Sequence, residues 1–316
     1  MDFVVVGGGV YGCGVSWHLA KRGAEVLLIE ANVVASGASG GPGKRGVRAS
    51  GRDLRELPLM RRAYELWPRL AEELGGPTGY ERIGGLTLIE REREYTGAPA
   101  RVWVQEQFGI PTRLVEGPEL RELEPHLTDR VRAALYCPKD GVADHTATCV
   151  SWARAAERLG VECREHTPVT GLEVENGRVV AIHTALDERI PVDIALILCT
   201  NTHVPQLLQE QFELTLPVWR RLPQVLLTEP LTPPPVRHLI GHAHRRLALK
   251  ALPDNRVMIS GGWLGRVDPV TGQPLVDADA VIGNRAEAAA VYPALANAPI
   301  ALVSVDRWES ESVDGI

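Results

Sequence analysis

The sequence predicts an α/β protein with a second, α+β domain built on a mostly antiparallel sheet. A Val-rich run, Phe3–Val6, leads through three consecutive glycines into a helical segment over 11–22 and a second apolar strand over 24–30. This order is typical of a βαβ unit. An Asn-Gly turn joins two alternating apolar runs over 169–184, which indicates a β-hairpin. Longer alternating runs after residue 206 predict the antiparallel sheet of the second domain.

The composition is that of an ordinary globular protein. Of the 316 residues, 45% are hydrophobic and 23% charged, and the formal net charge is -6. These values exclude a disordered chain and argue against a nucleic-acid partner. No apolar run approaches the ~18 residues of a membrane span, so we expect no membrane span. The five cysteines are widely spaced and odd in number, which argues against a disulfide framework. Because no targeting segment precedes the first strand, we expect a cytoplasmic protein.

The glycine spacing at the chain start carries chemistry. Gly7-x-Gly9-x-x-Gly12 matches the dinucleotide fingerprint of a Rossmann-like domain. Gly7 allows the tight turn, Gly9 leaves room for a pyrophosphate beside the backbone, and Gly12 lets the helix pack closely on the strand. Glu30 ends the second strand, where its carboxylate can accept hydrogen bonds from a ribose. NAD and FAD both fit this pattern, whereas Glu30 would repel the 2′-phosphate of NADP.

A loop of small residues follows the second strand, and it reads Ala35-Ser36-Gly37-Ala38-Ser39-Gly40-Gly41-Pro42-Gly43. Together with residues 4–30, this loop resembles the FAD-dependent amine and amino-acid oxidase superfamily, whose members include D-amino-acid oxidase, glycine oxidase and sarcosine oxidase. The resemblance covers essentially the whole chain and implies FAD as the cofactor. The residues that it assigns to FAD binding are Gly7, Gly9, Gly12, Glu30, Ser36, Gly37, Ser39, Gly40 and Val169, the last through its backbone beside the adenine. Where the family has a glycine-containing turn, this chain has Cys199-Thr200-Asn201-Thr202.

The resemblance also implies a discontinuous FAD-binding domain. We assign residues 1–85, 138–205 and 302–316 to this domain, and residues 86–137 and 206–301 to the substrate domain. Within these regions we predict a long strand over Val218–Thr228, a hairpin over 246–260 and a strand over Ile300–Trp308.

The chain end carries a separate expectation. In the resembled enzymes, a similar Trp-to-Asp-Gly segment leads on to a buried strand, a glycine-rich turn and a last helix that close the FAD domain. We therefore expect the chain ending at Ile316 to be an incomplete member of the family, with weak FAD binding and little turnover. The alternative is a short variant that closes its site differently or by pairing with another chain.

Three residues are candidates for the chemistry. Arg45-Gly46-Val47-Arg48 directly follows the small-residue loop. In sarcosine-oxidase-like members, an Arg-x-x-Arg at this place lies near the flavin and the substrate carboxylate. The resemblance thus implies that Arg45 and Arg48 bind a carboxylate, to which a guanidinium pairs bidentately. His244 precedes the predicted hairpin and is the third candidate, facing the substrate.

Two further residue patterns are weaker. His238, His242 and His244 have metal-like spacing, but no carboxylate or cysteine accompanies them in the sequence, so we expect no metal site. Sarcosine-oxidase-like members use a lysine near the flavin to activate oxygen. Lys250 is the only lysine of the later domain and matches that lysine poorly, so the choice between oxidase and dehydrogenase stays open.

The function that these features predict is FAD-dependent oxidation of the C–N bond of an amine or amino acid to an imine. The substrate would be a small molecule, and the flavin would supply the redox chemistry. One alternative is FAD-dependent oxidation of a 2-hydroxy acid. Another is a non-catalytic or subunit role as a flavoprotein fragment. A homo-oligomer or a partner subunit fits any of these functions.

Overall fold

The first sheet is parallel, as the βαβ pattern predicts. The computed structural model describes residues 1–37 and 43–315. In spatial order, the four strands of this sheet are Ala195–Leu198, Phe3–Val6, Val26–Ile29 and Glu162–Arg164. One face packs against the helices Val10–Ala20 and His145–Glu157 through a core that includes Val5 and Leu28. Burial on both faces explains why Phe3–Val6 and Val26–Ile29, the two central strands, are continuous apolar runs.

The other face of the parallel sheet packs on a small antiparallel sheet. Its strands are Val169–Glu175, Arg178–Thr184 and Arg189–Pro191. The first two form the hairpin that the Asn-Gly turn predicts, with Asn176 and Gly177 both at positive φ. Val4 and Ile182 belong to the core shared by the two sheets.

The largest sheet of the described residues has eight strands. In spatial order its strands are Ile300–Ser304, Val225–Thr228, Val257–Ser260, Ala248–Ala251, Leu239–His242, Gly85–Ile89, Ala133–Cys137 and Arg113–Glu116. Every neighbouring pair is antiparallel except Leu239–His242 with Gly85–Ile89. The mostly antiparallel sheet predicted from the sequence is therefore confirmed. One of its faces contributes to the largest core cluster, together with Ala288 and Val291 of the helix Ala278–Val291.

The helices and minor strands complete the described part of the chain. The α-helices are Val10–Ala20, Leu57–Leu74, Glu92–Gln107, Gly117–Leu123, His145–Glu157, Val204–Phe212 and Ala278–Val291. Short 3-10 turns cover Leu54–Glu56, Asn201–His203 and Pro293–Leu295. Three two-stranded ribbons pair Arg45–Val47 with Gly141–Ala143, Val218–Arg221 with Glu309–Ser312, and Arg266–Val267 with Pro274–Leu275. Among the described residues, no helix is both long and apolar enough to cross a membrane.

Local signals set several helix ends. The helix Leu57–Leu74 has Pro58 in its first turn and ends at Gly75, which adopts the left-handed conformation with φ 57°. The helix His145–Glu157 begins at Asp144, whose carboxylate accepts a hydrogen bond of 2.9 Å from the backbone N–H of Ala147. Such an N-cap stabilises a helix by about 1 kcal/mol.

Two strand predictions are wrong in detail. The long strand predicted over Val218–Thr228 is two strands, Val218–Arg221 and Val225–Thr228, because Pro223 between them has no N–H to donate to a ladder. The strand predicted over Ile300–Trp308 ends at Ser304 and pairs with Val225–Thr228. Its residues from 302 to 304 therefore lie in the eight-stranded sheet, although the sequence assigned residues 302–316 to the FAD-binding domain.

Candidate cofactor and substrate site

The three fingerprint glycines have different surroundings. Gly7 has φ +109°, and a Cβ there would lie 2.5 Å from the carbonyl oxygen of Cys199. A Cβ on Gly12 would overlap the carbonyl oxygen of Gly7. A Cβ on Gly9 would meet no described atom within 4 Å. Gly7 and Gly12 thus allow close approaches of the backbone, and Gly9 borders open space, as expected of a glycine beside a pyrophosphate.

The N-terminus of the helix Val10–Ala20, which starts at this turn, is suited to bind an anion. Gly9 is the N-cap of Val10–Ala20, so no side chain caps the first turn, which also holds no acidic residue. The free N–H groups and the positive end of the helix dipole therefore face the open space beside Gly9.

Glu30 sits at the end of the second strand, as predicted for a ribose-binding acid. Its carboxylate accepts hydrogen bonds from the backbone N–H groups of Gly8 at 2.7 Å and Asn32 at 2.9 Å. The backbone N–H of Thr167 donates to the carbonyl oxygen of Glu30 at 3.0 Å, which brings the segment leading to Val169 beside this strand end. The structure thus gathers Glu30 and the Val169 segment around the fingerprint turn.

The small-residue loop is only partly described. Ser36 donates its backbone N–H to the carbonyl oxygen of Val33 at 3.0 Å. An added Cβ on Gly37 would meet no described atom within 4 Å. Ser39 and Gly40, which the sequence assigns to FAD binding, lie outside the described residues.

The turn that replaces the family's glycine turn has its own structure. Cys199 donates its backbone N–H to the carbonyl oxygen of Val6 at 2.7 Å. Asn201 has φ +50°, and its side-chain amide bonds the carbonyl oxygen of Trp308 at 3.0 Å and the N–H of Ser310 at 3.1 Å. The hydroxyl oxygen of Thr200 is buried without a hydrogen-bond partner in the described part of the chain. Four features of this region fit a dinucleotide such as FAD. They are the open space beside Gly9, the uncapped first turn of the helix Val10–Ala20, the carboxylate of Glu30 and the unpartnered hydroxyl of Thr200.

A cluster of cations lies on one face of the eight-stranded sheet. A terminal nitrogen of Arg45, Nη1, lies 3.5 Å from Sδ of Met258, and Met258 is the cross-strand neighbour of Lys250. Burial lowers the pKa of Arg45 to about 10. Burial, with the nearby charges of Arg45 and Arg48, lowers the pKa of Lys250 to about 7. Three cations that burial makes costly to charge would be stabilised by an anionic ligand.

Other ionisable groups surround Arg45. Burial raises the pKa of Glu309, while Arg45 and Arg221 oppose that rise. Burial and the charge of Arg45 lower the pKa of His145, which lines a cavity of about 440 Å³ with Gly43, Asp144 and residues 302–307. Gly43 and His145 bring this cavity near Arg45, but Arg45, Arg48 and Lys250 do not line it.

Sequence reasoning gave Lys250 no role in the site, because it matches the lysine of the sarcosine-oxidase-like members poorly. Lys250 lies on the central strand Ala248–Ala251 and is 6% exposed. Its ammonium donates no hydrogen bond to residues 1–37 or 43–315, the part of the chain that the structure describes. The available signal was a single lysine inside an otherwise apolar run, Ala248-Leu249-Lys250-Ala251-Leu252. A buried charge is costly unless it is paired or the group becomes neutral, so an anion bound near Lys250 would stabilise its charged form.

His244 does not join this cluster. In the ladder, Ile240 pairs with Leu249, so His242 lies three residues, about 10 Å, along the strand from Lys250 and on the opposite face. His244 lies farther on, with Nδ1 at 2.9 Å from Oε1 of Glu94. The structure therefore places His244 away from Lys250 and beside Glu94.

The histidine cluster also differs from its prediction. His238 is apart from it, because its Nδ1 lies 2.8 Å from a carboxylate oxygen of Glu124. His242 and His244 are instead accompanied by Glu90. The statement that no carboxylate accompanies the histidines is wrong, because about 150 residues of chain separate the two partners and only the fold brings them together.

Comparison with known proteins agrees with this geometry. Sarcosine oxidase subunit beta of Rhodobacter capsulatus is 26% identical over 238 residues, which are 73% of this chain and 57% of that protein. Human mitochondrial sarcosine dehydrogenase is 31% identical over 176 residues, 55% of this chain and 19% of that protein. The chain thus spans little more than half the length of the first relative and about a fifth of the second.

A solved structure shows the same fold. The crystal structure of L-proline dehydrogenase from P. horikoshii matches with a TM-score of 0.86 at 24% identity, over 98% of this chain and 81% of that chain. The family model for DAO, the FAD dependent oxidoreductases, matches residues 2–309. On this match and on the fingerprint geometry, the chain belongs to the DAO family of FAD-dependent oxidoreductases.

Proposed function

We propose that this chain binds FAD and oxidises the C–N bond of an amino acid that carries a free carboxylate. The observation that carries the proposal is the position of Arg45, whose Nη1 lies 3.5 Å from Sδ of Met258, the cross-strand neighbour of the buried Lys250. The charges of Arg45 and Arg48 both lower the pKa of Lys250, in addition to burial. Such a set of cations favours an anionic substrate group. Further support comes from the two sarcosine-oxidising relatives, because sarcosine is an N-methyl amino acid with a free carboxylate.

In this proposal the protein binds and orients both molecules. The helix N-terminus at Gly9 would hold the pyrophosphate of FAD, and Glu30 would hold the ribose. Bound FAD supplies the two-electron acceptor. Arg48 would pair with the substrate carboxylate and so fix the Cα–H toward the flavin. The substrate amine loses two electrons and two protons and becomes an imine, which water hydrolyses to a carbonyl compound and a free amine or ammonia.

Lys250 would hold or release a proton in the site. Because its pKa is lowered to about 7, its amine exists in both protonation states near neutral pH. In the neutral state Nζ can take the proton of a substrate ammonium, which leaves the amine lone pair that C–N oxidation requires. In the charged state it adds to the carboxylate clamp.

The experiment is an anaerobic reduction screen. The purified chain is reconstituted with FAD and mixed without oxygen with sarcosine, glycine, D-amino acids, uncharged amines and 2-hydroxy acids. We expect the flavin absorbance to bleach with one or more amino acids and to stay unchanged with uncharged amines. Bleaching by 2-hydroxy acids alone would replace the proposal with hydroxy-acid oxidation. Tight FAD binding without bleaching by any compound would favour a non-catalytic role.

We further propose a reducing, cytoplasmic location and a partner subunit. The location is supported by the cysteines, since all five are free. The partner is supported by the first relative, which is itself named as a subunit. Cell fractionation tests the location, and size-exclusion chromatography of the native complex tests for a partner.

A further inference from the structure

A buried aspartate lies beside Arg48, the residue proposed to bind the substrate carboxylate. The antiparallel strands Arg45–Val47 and Gly141–Ala143 are in register from end to end. Asp140 precedes the second strand and Arg48 follows the first, so the two residues lie opposite each other where the ribbon ends. Asp140 is 0% exposed. A carboxylate is thus held out of water next to the proposed clamp.

The carboxylate of Asp140 holds the backbone of the residue that follows Arg48. The backbone N–H of Ala49 donates to Oδ1 of Asp140 at 2.8 Å, and it also lies 2.9 Å from the hydroxyl oxygen of Tyr64. The Tyr64 hydroxyl donates its own proton to the same Oδ1. Burial, with the charge of Asp140, raises the pKa of Tyr64, so the hydroxyl keeps that proton. One backbone N–H is therefore shared by two acceptors that are themselves joined by a hydrogen bond.

The neighbouring strand leaves room for this carboxylate and fixes it. A Cβ on Gly85, the first residue of the strand Gly85–Ile89, would overlap Oδ2 of Asp140. The backbone N–H of Gly84 donates to the carbonyl oxygen of Asp140 at 2.8 Å. Both the main chain and the side chain of Asp140 are therefore held by the surrounding backbone.

This arrangement leaves one buried oxygen unsatisfied. Oδ2 of Asp140 has no hydrogen-bond partner in the described part of the chain. A buried acceptor without a donor destabilises the fold. The charge of Asp140 nevertheless favours the charged form of Arg48, against burial and the charge of Arg52, which lower the pKa of Arg48. A carboxylate that costs the fold stability but stabilises Arg48 is expected to serve the site.

The turn after Arg48 directs its side chain. Nη1 of Arg48 donates to the carbonyl oxygen of Ser50, and an added Cβ on Gly51 would lie 3.1 Å from Nη1. The guanidinium therefore packs on the backbone of the turn. The N–H of Arg52 closes this turn by donating to the carbonyl oxygen of Ala49 at 3.1 Å. Because Ala49 begins the turn, the bond that holds its N–H also sets where the guanidinium lies.

We propose that Asp140, together with Tyr64, is a positioning residue for Arg48. By holding the N–H of Ala49, it fixes the guanidinium in the direction that binds a substrate carboxylate. This inference rests on the proposed function, because it concerns the carboxylate clamp of the same site. Asp140 is 0% exposed, so it acts through Arg48 and not on the substrate itself.

A double-mutant cycle in the FAD-loaded chain tests this role. The quantity measured is the amino-acid concentration that gives half-maximal flavin reduction without oxygen. Asp140→Ala is expected to raise this concentration at least fivefold. Asp140→Asn, whose amide oxygen still accepts from Ala49, is expected to stay within twofold of the parent. In an Arg48→Ala chain, Asp140→Ala is expected to add less than a twofold change, because the residue that it positions is already gone.

A second measurement needs no substrate. Amide hydrogen exchange of Ala49, followed by NMR on the full chain, is expected to be at least tenfold faster in Asp140→Ala than in the parent. Asp268→Ala is the matched control. Asp268 also accepts hydrogen bonds from two backbone N–H groups, but in the turn between the strands Arg266–Val267 and Pro274–Leu275. The control is expected to keep the half-saturating concentration of the parent.

The outcomes separate this inference from the proposed function. A parent whose flavin no amino acid reduces would overturn the proposed function, and the clamp with it. A parent that is reduced, beside a folded Asp140→Ala variant with the same half-saturating concentration, would overturn only the role of Asp140. Equal losses from Asp140→Ala in the parent and in the Arg48→Ala chain would do the same, because they show a general effect on the fold.

Tyr64→Phe decides the matter if circular dichroism shows that Asp140→Ala does not fold. This variant removes one of the two acceptors of the Ala49 N–H and leaves the carboxylate of Asp140 in place. We expect it to raise the half-saturating concentration about threefold in the parent and not in the Arg48→Ala chain. A folded Tyr64→Phe variant that matches the parent would overturn the inference.

Discussion

The fingerprint turn and the cation cluster are built in different ways. The three glycines of the turn and Glu30 come from one stretch, residues 7–30. Their spacing alone was enough to predict a role for each in cofactor binding. The cluster takes Arg45 and Arg48 from one segment and Lys250 from a strand some 200 residues later. A site formed by neighbouring residues can be predicted from a motif in one sequence. A site formed by residues that are distant in the sequence can be identified only from the folded structure. Substitutions in each region can therefore separate cofactor binding from substrate recognition.

The largest effect is expected at Gly9. A valine there has room in the folded chain, since no described atom lies within 4 Å of an added Cβ, but it would fill the pyrophosphate position. We expect Gly9→Val to melt like the parent and to lose FAD binding, measured by flavin fluorescence titration.

Gly12→Ala is the contrasting variant. Its Cβ would overlap the carbonyl oxygen of Gly7, so the turn itself must shift, at a cost of about 1–3 kcal/mol in the free energy of unfolding. Full FAD binding by Gly9→Val would show that the open space beside Gly9 is not the cofactor site.

Lys250→Met should change how stability depends on pH. The folded pKa, about 7, is below the ordinary value of 10.5, so between these values the unfolded chain binds more protons than the folded one. Parent stability therefore rises with pH across this window. The methionine variant lacks this term. We expect it to exceed the parent by on the order of 5 kcal/mol below pH 7, with the gap closing by about pH 10. Denaturant unfolding at several pH values measures the gap, and a gap independent of pH would contradict the lowered pKa.

Arg48→Ala tests the carboxylate clamp. Loss of a charge-assisted pair should weaken amino-acid substrates by about 1.5–3 kcal/mol and leave uncharged amines nearly unaffected. The measurement is the substrate concentration that gives half-maximal flavin reduction without oxygen. Arg62→Ala, on the exposed face of the helix Leu57–Leu74, is the control. Equal losses for both substrate types would remove Arg48 from the clamp.

The smallest effect is expected at Asn201. Asn201→Gly keeps the left-handed backbone but removes the two hydrogen bonds to Trp308 and Ser310. We expect a loss of about 1 kcal/mol in the free energy of unfolding, measured by denaturant titration. Asn201→Ala should lose more, because alanine also strains a backbone with φ +50°. If alanine is tolerated as well as glycine, the left-handed conformation is not required.

Periodicity and turn residues were enough to predict most of the fold. The hairpin Val169–Glu175 with Arg178–Thr184 follows from the Asn-Gly turn between its strands. The prediction failed where the position of a strand depends on pairing with a strand that is distant in the sequence. Ile300–Ser304 joins the large sheet through Val225–Thr228, about 75 residues away, and nothing in either run specifies that pairing. The charged helix Glu92–Gln107 was missed because its apolar face is narrow.

The same division holds for the sites. Gly7, Gly9, Gly12 and Glu30 could be predicted as cofactor-binding residues because dinucleotide binding requires fixed spacing along one chain segment. The neighbourhood of Lys250 and the pairing of Glu90 with His242 and His244 depend on strand register across the sheet. A substitution that leaves local patterns intact can still move these residues apart.

The position of the first strand has a consequence for how the chain acquires its shape. Phe3–Val6 pairs with Val26–Ile29 on one side and with Ala195–Leu198 on the other. Closing the second loop costs about 2 kcal/mol more chain entropy than closing the first. At about 5–20 residues per second, a ribosome needs ten seconds or more to deliver the second partner. Until then the carbonyl of Cys199 is not beside Gly7. The nascent chain therefore contains the whole glycine motif before the backbone that packs against it has been made.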